Sequence, residues 1–538
     1  MNPKRKTNTP NVLDQDHGLS VRGAWRGLVV TCVIFLVVGF VTLPRFPYPG
    51  DNFVPRIEAI HLVKYGQLGI PYEMRARLSG LDNERGQYFF SNDAKQRFYS
   101  KYGIAFTIAF LPPILAELAS GSPIDIDRQM PSLYFKLGIY QLLLGLLTMY
   151  YLFRIAWLFG KSQWWCCVFT LVTVYTTFLW HYLRAPANEV YQIVAFAGVC
   201  AHALLFIRRR DTGDASVGCW GHLLAASLWG GVLVLAKCTF VLLGLAVSLF
   251  ALFVGPTEKK FWVRPFDNLL RYWKEYGWSL VLPWIISFAA LLGSNAIRFE
   301  SVFDMGYMQW VRADGLPVVK FSLSYLGPAF KSFILDILKN DFNIFHAYPP
   351  AFLGVLCFIP FARRWARDAL FIMSAVVPGV FLLLIHNYAD GQWCYGPRYF
   401  LYYTILLAVP FLWGFEQFFV RLWKPVKPLV AVACMVPVLY LGWLEFNVNA
   451  VHYFVSYYLG GFFAGSKHPD LIAYNSTSRH KYCRDLFYYG QGWSSYYPLD
   501  VIRKTLPPNR REDYLRCQAM FLQQAQPNFY FFPGKQSK

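Results

Sequence analysis

Residues 223–254 read LLAASLWGGVLVLAKCTFVLLGLAVSLFALFV, an apolar run broken by a single charge, Lys237. About 20 apolar residues cross the roughly 30 Å hydrocarbon core of a bilayer. This run is too long for one ordinary helix and long enough for a tight hairpin turning at Lys237. The choice sets the side of every later loop, and charge decides it. Other apolar runs lie near 25–43, 132–153, 164–181, 186–207, 277–296, 345–361, 369–386, 399–418 and 428–446. Lys4, Arg5, Lys6, Arg22 and Arg26 place the N-terminus in the cytoplasm. A hairpin at Lys237 then gathers the basic clusters between spans on that side, as the positive-inside rule demands. These clusters are Arg154/Lys161, Arg208–Arg210, Lys259/Lys260/Arg264/Arg271/Lys274, Arg363/Arg364/Arg367 and Arg421/Lys424/Lys427. The short run 102–119, with Pro112, Pro113 and Glu117, must then lie along the interface; if it crossed, Arg208–Arg210 would face outside. The expectation is an all-α polytopic membrane protein of about eleven transmembrane helices.

Composition agrees. Of 538 residues, 56% are hydrophobic and only 15% charged, against about 25% charged in soluble domains. Aromatics reach 19%, which suits long interfacial belts of Tyr and Trp. The formal charge of +20 points to anionic lipid, because the cations sit in short gaps between spans and form no nucleic-acid-reading patch. No nucleic acid partner is expected. A basic surface also attracts a phosphate-bearing lipid substrate. The 11 cysteines show no CxxC spacing, and most lie in apolar runs as small core side chains. Cys394, Cys483 and Cys517 fall outside the spans, and a Cys483–Cys517 disulfide stays open. The first run ends in Pro44-Arg45-Phe46-Pro47 with no small-residue cleavage site, so it reads as a retained span.

The expected organisation is a cytoplasmic tail, 1–24, a transmembrane domain, 25–446, and a small mixed external domain, 447–538. Within the second, 44–131 forms a first external loop with interfacial helices. A second external loop covers about 297–344, and a short turn joins His386 to Tyr399. The tail carries a sequon, Asn475-Ser476-Thr477, meaningful only in a glycosylating host, and Tyr and Trp residues that suit either sugar stacking or interfacial packing.

Asp51 follows the first span in Tyr48-Pro49-Gly50-Asp51-Asn52 and precedes an amphipathic stretch with Ile57, Ile60 and Val63 on one face. A carboxylate held there at the membrane surface is placed to act as a general base; a helix N-cap is the plainer alternative. Glu58, one turn away, reads as supporting. Glu189 opens a span, where a buried acid needs a cation or a helix N-terminus. His386 and Asp390 are spaced i, i+4, but two ligands do not make a metal site, so no metal or cofactor is assigned.

Three motifs carry a resemblance. Gly50-Asp51-Asn52…Arg56-Ile57-Glu58-Ala59-Ile60…Gly66 resembles the first external loop of GT-C membrane glycosyltransferases. The resemblance is to the branch of protein O-mannosyltransferases, lipid A aminoarabinose transferases and bacterial galacturonosyltransferase-like proteins. Tyr99-Ser100-Lys101-Tyr102-Gly103 resembles the segment before that family's second span, and Gly391 to Tyr399, ending Gly-Pro-Arg-Tyr, resembles a turn opening a late span. The layout covers roughly 20–446. Asn52 stands where these enzymes often carry a second acid, which leaves that acid's role unfilled.

The resemblance implies a GT-C fold. It also implies transfer of a sugar from a polyprenyl-phosphate-linked donor to a lipid, glycan or protein acceptor on the external face, with inversion. The phosphate leaves as a stable anion, so one base for the acceptor hydroxyl suffices, unlike the two carboxylates of glycosidases. Cations are needed on the phosphate. The external turns hold few, and Arg184, Lys237 and Arg398 are the candidates, because each opposes the topological rule. Snorkelling to headgroups, or Glu189 as a partner for Arg184, is the plain alternative. Tyr399 and Tyr102 are supporting candidates. The implied location is a bacterial inner membrane, N-terminus inside and tail outside, with membrane lipids as partners. Rival readings are a secondary transporter, which should show paired repeats and broken helices at the midplane, an O-antigen ligase or polymerase, with its large external segment late in the chain, and a non-catalytic envelope scaffold, which needs neither Asp51 nor Arg398.

Overall fold

The computed structural model describes residues 22–43, 53–74, 89–92, 94–122, 124, 131–184, 188–211, 217–255, 262–304, 306, 319–337, 343–387 and 397–447. Asp51, Asp390, the tail beyond 447, and Cys394, Cys483 and Cys517 lie outside them.

The first run becomes α1 (Trp25–Val41), and the amphipathic stretch after it α2 (Phe53–Tyr65). The segment 102–119 is two helices, α3 (Ile104–Ala109) and α4 (Leu111–Ala119), parted at Phe110 before Pro112 and Pro113. Then come α5 (Pro131–Phe159), α6 (Gln163–Tyr175), α7 (Leu179–Arg184), α8 (Asn188–Asp211), α9 (Val217–Ala236), α10 (Val241–Leu252) and α11 (Pro265–Phe299). After α12 (Leu326–Phe330), run 345–361 is broken into α13 (Ile344–Ala347), α14 (Pro349–Leu356) and α15 (Phe358–Arg364). Pro349, Pro350 and Pro360 remove the amides a continuous helix needs. The last helices are α16 (Ala366–Leu384), α17 (Leu401–Leu407), α18 (Val409–Arg421) and α19 (Lys427–Asn447).

Among the described residues, seven helices are long and apolar enough to cross a membrane: those of α5, α8, α9, α11 and α16, the segment Arg398–Arg421, and Lys424–Trp443. Their outward flanks are apolar where no described residue covers them, as at Trp278 (79% exposed) and Leu439 (65%). Water would not favour such flanks, and lipid does. The chain is a polytopic integral membrane protein. Among the described residues, four shorter apolar helices accompany the seven, at Trp25–Val41, Ile104–Ala119, Gln163–Tyr175 and Cys238–Leu252.

Lys237 is a reversal. Before it, α9 runs antiparallel to α8, with Gly198 against Trp229 and His202 against His222. After it, Phe240 packs on Phe196, and Arg210 donates to the Phe250 carbonyl (3.0 Å). So α10 runs back alongside α8, as the hairpin reading requires. The pair α3–α4 stays at one end of the bundle: Phe110 packs on Tyr191 in the opening turns of α8, and Glu117 takes bonds from Ser132 (3.0 Å) and Lys136 (2.6 Å) in those of α5. Glycines bring α1 onto α5, Gly39 against Leu142, Gly138 against Leu43 and Gly145 against Phe35, the small-residue device that membrane helices use to pack closely.

The bundle has two chemically different ends. At the basic end, Arg208 binds Asp368 (2.6 Å) and lies over Trp365, and Glu416 accepts from the amides of Lys161 and Ser162. The other end gathers the last turn of α1, helices α2 to α4, the turn at Lys237 and the start of α17. One feature departs from an all-α fold. The first loop carries a three-stranded antiparallel sheet, β1 (Ile70–Pro71), β2 (Phe89–Asn92) and β3 (Arg97–Ser100), in the order β1–β3–β2. Phe98, Tyr99 and Ser100 are buried, and such short aromatic strands give little periodicity to read.

Candidate functional site

Helix α9 stops at Ala236, and Lys237 is extended (φ −155°, ψ 116°), so its ammonium leaves the helix axis. Its Nζ stands 4.0 Å from the centre of the Tyr399 ring. Tyr399 belongs to a 3-10 turn, Arg398–Phe400, that starts after Pro397 and leads into α17. The Arg398 guanidinium lies 5.2 Å from the same ring. Tyr399 therefore gathers two cations on its negative π-density. Arg398 Nη1 also donates to Glu189 Oε1 at 3.3 Å, with the side chains 15% and 9% exposed. Glu189 sits in the first turn of α8, where the helix dipole favours a negative charge. His386 completes the wall, its ring 6.3 Å from Tyr399 and 5.0 Å from Phe321.

A second cluster adjoins the first. Gly103 backs directly onto the carbonyls of Leu235 and Ala236, so the loop carrying Tyr102 rests on the Lys237 turn. Behind it, Arg298 at the end of α11 donates to the carbonyls of Ser100 and Tyr102 (2.6 Å to the latter). Glu58 is fully buried; its Oε2 accepts from Thr107 Oγ1 at 2.7 Å and its Oε1 from the Ser100 amide. Burial pushes the Glu58 carboxyl above the ordinary carboxylate range, and Arg298, Thr107 and Ser100 offset only part of this. The group ties α2, β3, α3 and α11 together.

The structure thus brings Arg398, Lys237, Tyr399 and Glu189 into one constellation, and Tyr102 and Glu58 into its support. Arg184 has a different setting. It is buried and donates to the Thr42 carbonyl at 2.9 Å, closing the C-terminal end of α1, where a cation meets unsatisfied carbonyls. Glu189, the partner the sequence offers Arg184, accepts a bond from Arg398, whose guanidinium reaches the N-terminus of α8 from across the bundle. Arg298 was missed. The signal was the one that picked the other three, a lone cation at the end of a span opposite the basic clusters. Asp51 lies outside the described residues. Among the described residues no three His, Cys, Asp or Glu side chains group as metal ligands.

No protein-family model matches the chain, and no curated protein is similar to it in sequence. Among solved structures, the chain is similar to ArnT from Cupriavidus metallidurans bound to undecaprenyl phosphate. The identity is 14%, with 94% of this chain and 79% of that chain covered, and the TM-score is 0.48. It is also similar to the archaeal oligosaccharyltransferase AglB from Archaeoglobus fulgidus in complex with an inhibitory peptide and a dolichol-phosphate. Here the identity is 12%, with 84% of this chain covered, and the TM-score is 0.46. The chain spans 59% of that protein's length.

Proposed function

We propose that this protein transfers a sugar from a polyprenyl-phosphate carrier to an acceptor hydroxyl at the end of the bundle that bears Arg398. The observation that carries the reading is the convergence of Arg398 and Lys237 on Tyr399, opposite the end where basic residues collect. Two cations on one aromatic ring, at the mouth of a membrane bundle, suit the phosphate of a lipid whose tail lies among the helices. As the anomeric C–O bond breaks, its electron pair stays on the phosphate oxygen, and the new negative charge is met by the guanidinium and the ammonium. Tyr399 holds the two cations before the donor arrives. Glu189 accepts a bond from Arg398 Nη1 and so orients the guanidinium toward the donor phosphate. Asp51 is assigned as the base that takes the acceptor proton, attack comes from the face opposite the phosphate, and the configuration inverts. In this reading the N-terminus is cytoplasmic, the site is external, about eleven segments span the bilayer, and residues 447–538 form an external domain. Arg184 supports the site through the end of α1.

The test is turnover of purified full-length protein with a panel of radiolabelled polyprenyl-phosphate sugars. Wild type transfers label from one of them, and Asp51→Asn and Arg398→Ala lose it while remaining folded. Undiminished transfer in Asp51→Asn removes the base; undiminished transfer in Arg398→Ala removes the phosphate site.

A further inference from the structure

One polar side chain in the wall of the site has no part in holding the phosphate. Positions 189, 192 and 196 are spaced i, i+3 and i+7 and share one face of α8. Glu189 on that face meets Arg398 at 3.3 Å. Phe196, two turns on, packs on Phe240 of the Lys237 turn (6.5 Å between ring centres) and on Tyr402 and Tyr403 of α17 (6.5 and 5.6 Å). Gln192 stands between them, about 4.5 Å along the helix from Glu189, so its side chain looks onto the space bounded by the Lys237 turn and the start of α17. It is 6% exposed, and among the described residues nothing donates to its Oε1. Its Nε2 reaches the Asn188 carbonyl at 3.5 Å, beyond the ordinary range of an N–H···O bond, and the helix ladder already engages that carbonyl. Glutamines in membrane helices commonly bond across to a neighbouring helix. Gln141 does so, its Nε2 donating to the Tyr182 carbonyl at 3.1 Å and tying α5 to α7. Gln192 makes no such tie among the described residues. A buried amide oxygen without a donor is costly to keep, and this one lies on the face of α8 that meets Arg398.

We infer that Gln192 is a specificity-determining residue, its amide binding a hydroxyl on the sugar ring of the donor. The inference rests on the donor-phosphate reading above. With the phosphate at Arg398 and Lys237, the sugar bonded to it lies against this face of α8. The side chain gives up its weak hold on Asn188 and turns, the hydroxyl donates to Oε1, and Nε2 can donate to a neighbouring sugar oxygen. The two cations hold a phosphate common to every carrier-linked sugar, whereas Gln192 tells one sugar from another. A ring that lacks the hydroxyl leaves the amide oxygen unpaired.

The test is equilibrium binding of the full chain in mild detergent to two ligands, bare polyprenyl phosphate and the polyprenyl-phosphate sugar that wild type transfers. Gln192→Met keeps the length of the side chain and removes the amide. It weakens binding of the sugar-bearing donor about tenfold, the scale of one lost hydrogen bond that strands its partner, and leaves binding of the bare carrier unchanged. Among monodeoxy analogues of the donor, one binds wild type about tenfold more weakly and loses nothing further in Gln192→Met. The unfolding midpoint of Gln192→Met equals or exceeds that of wild type, because an unpaired buried oxygen has gone. Equal losses for both ligands, or no loss for either, overturn the inference. So does a lowered unfolding midpoint, which marks a structural tie, or a deoxy series in which every analogue keeps its sensitivity to Gln192→Met. Wild type that binds neither ligand overturns the phosphate site itself, and the inference with it.

Discussion

Replacing Arg398 by alanine removes two things at once, a partner for Glu189 and a cation for the donor, and a second substitution separates them. At 3.3 Å and an effective dielectric of about 20, the gross attraction of the pair is about 5 kcal/mol. Desolvation cancels part of it, and breaking a buried pair by deleting one partner costs about 3–5 kcal/mol. The side chains here are 15% and 9% exposed, so water reaches them slightly and about 2–3 kcal/mol is expected. Chemical unfolding in mild detergent should show Arg398→Ala destabilised by that amount. Adding Glu189→Gln removes the carboxylate that lost this guanidinium and should restore part of the stability. Turnover should not follow, because neither variant has a guanidinium for the leaving phosphate, and both should lose about a hundredfold or more. If Arg398→Ala/Glu189→Gln regains turnover along with stability, Arg398 only neutralises Glu189 and the phosphate-site reasoning is wrong.

Tyr399→Phe keeps the π face and should keep donor affinity, whereas Tyr399→Leu should raise KM for the donor about tenfold, the scale of a desolvated cation–π contact; steady-state kinetics on both variants decides. Gly103→Ala drives a methyl onto the carbonyls of Leu235 and Ala236, and should cost about 1–3 kcal/mol in an unfolding titration while moving Lys237 enough to lower kcat. The Glu58 carboxyl is raised by burial, so the folded state holds its proton more tightly than the unfolded state does. Stability therefore falls as pH rises from the ordinary carboxylate range through the folded value, and Glu58→Gln should flatten that slope in unfolding curves.

Much of this arrangement could be read before any coordinates. Hydropathy and the side taken by arginines were enough to place the reversal at Lys237 and to keep 102–119 at one end, because both follow from one-dimensional rules about lipid and charge. Arg398 and Lys237 stood out as cations at the wrong end. What could not be read was partnership across the bundle. Glu189 is near Arg184 in sequence, yet it also binds Arg398, more than 200 residues further along the chain. Arg298 lies two residues beyond run 277–296 and looked like a loop residue; α11 in fact continues to Phe299 and buries it under the Ser100–Tyr102 backbone. The small sheet escaped because strands of two to four residues are shorter than any periodicity test can register.

The most direct measurement is a structure of the full-length protein with a polyprenyl phosphate bound. The account predicts phosphorus density within about 4 Å of both the Arg398 guanidinium and the Lys237 ammonium, with Tyr399 still against both cations. Phosphate density at the opposite, arginine-rich end alone, or Lys237 and Arg398 turned away from an occupied cavity, would contradict it.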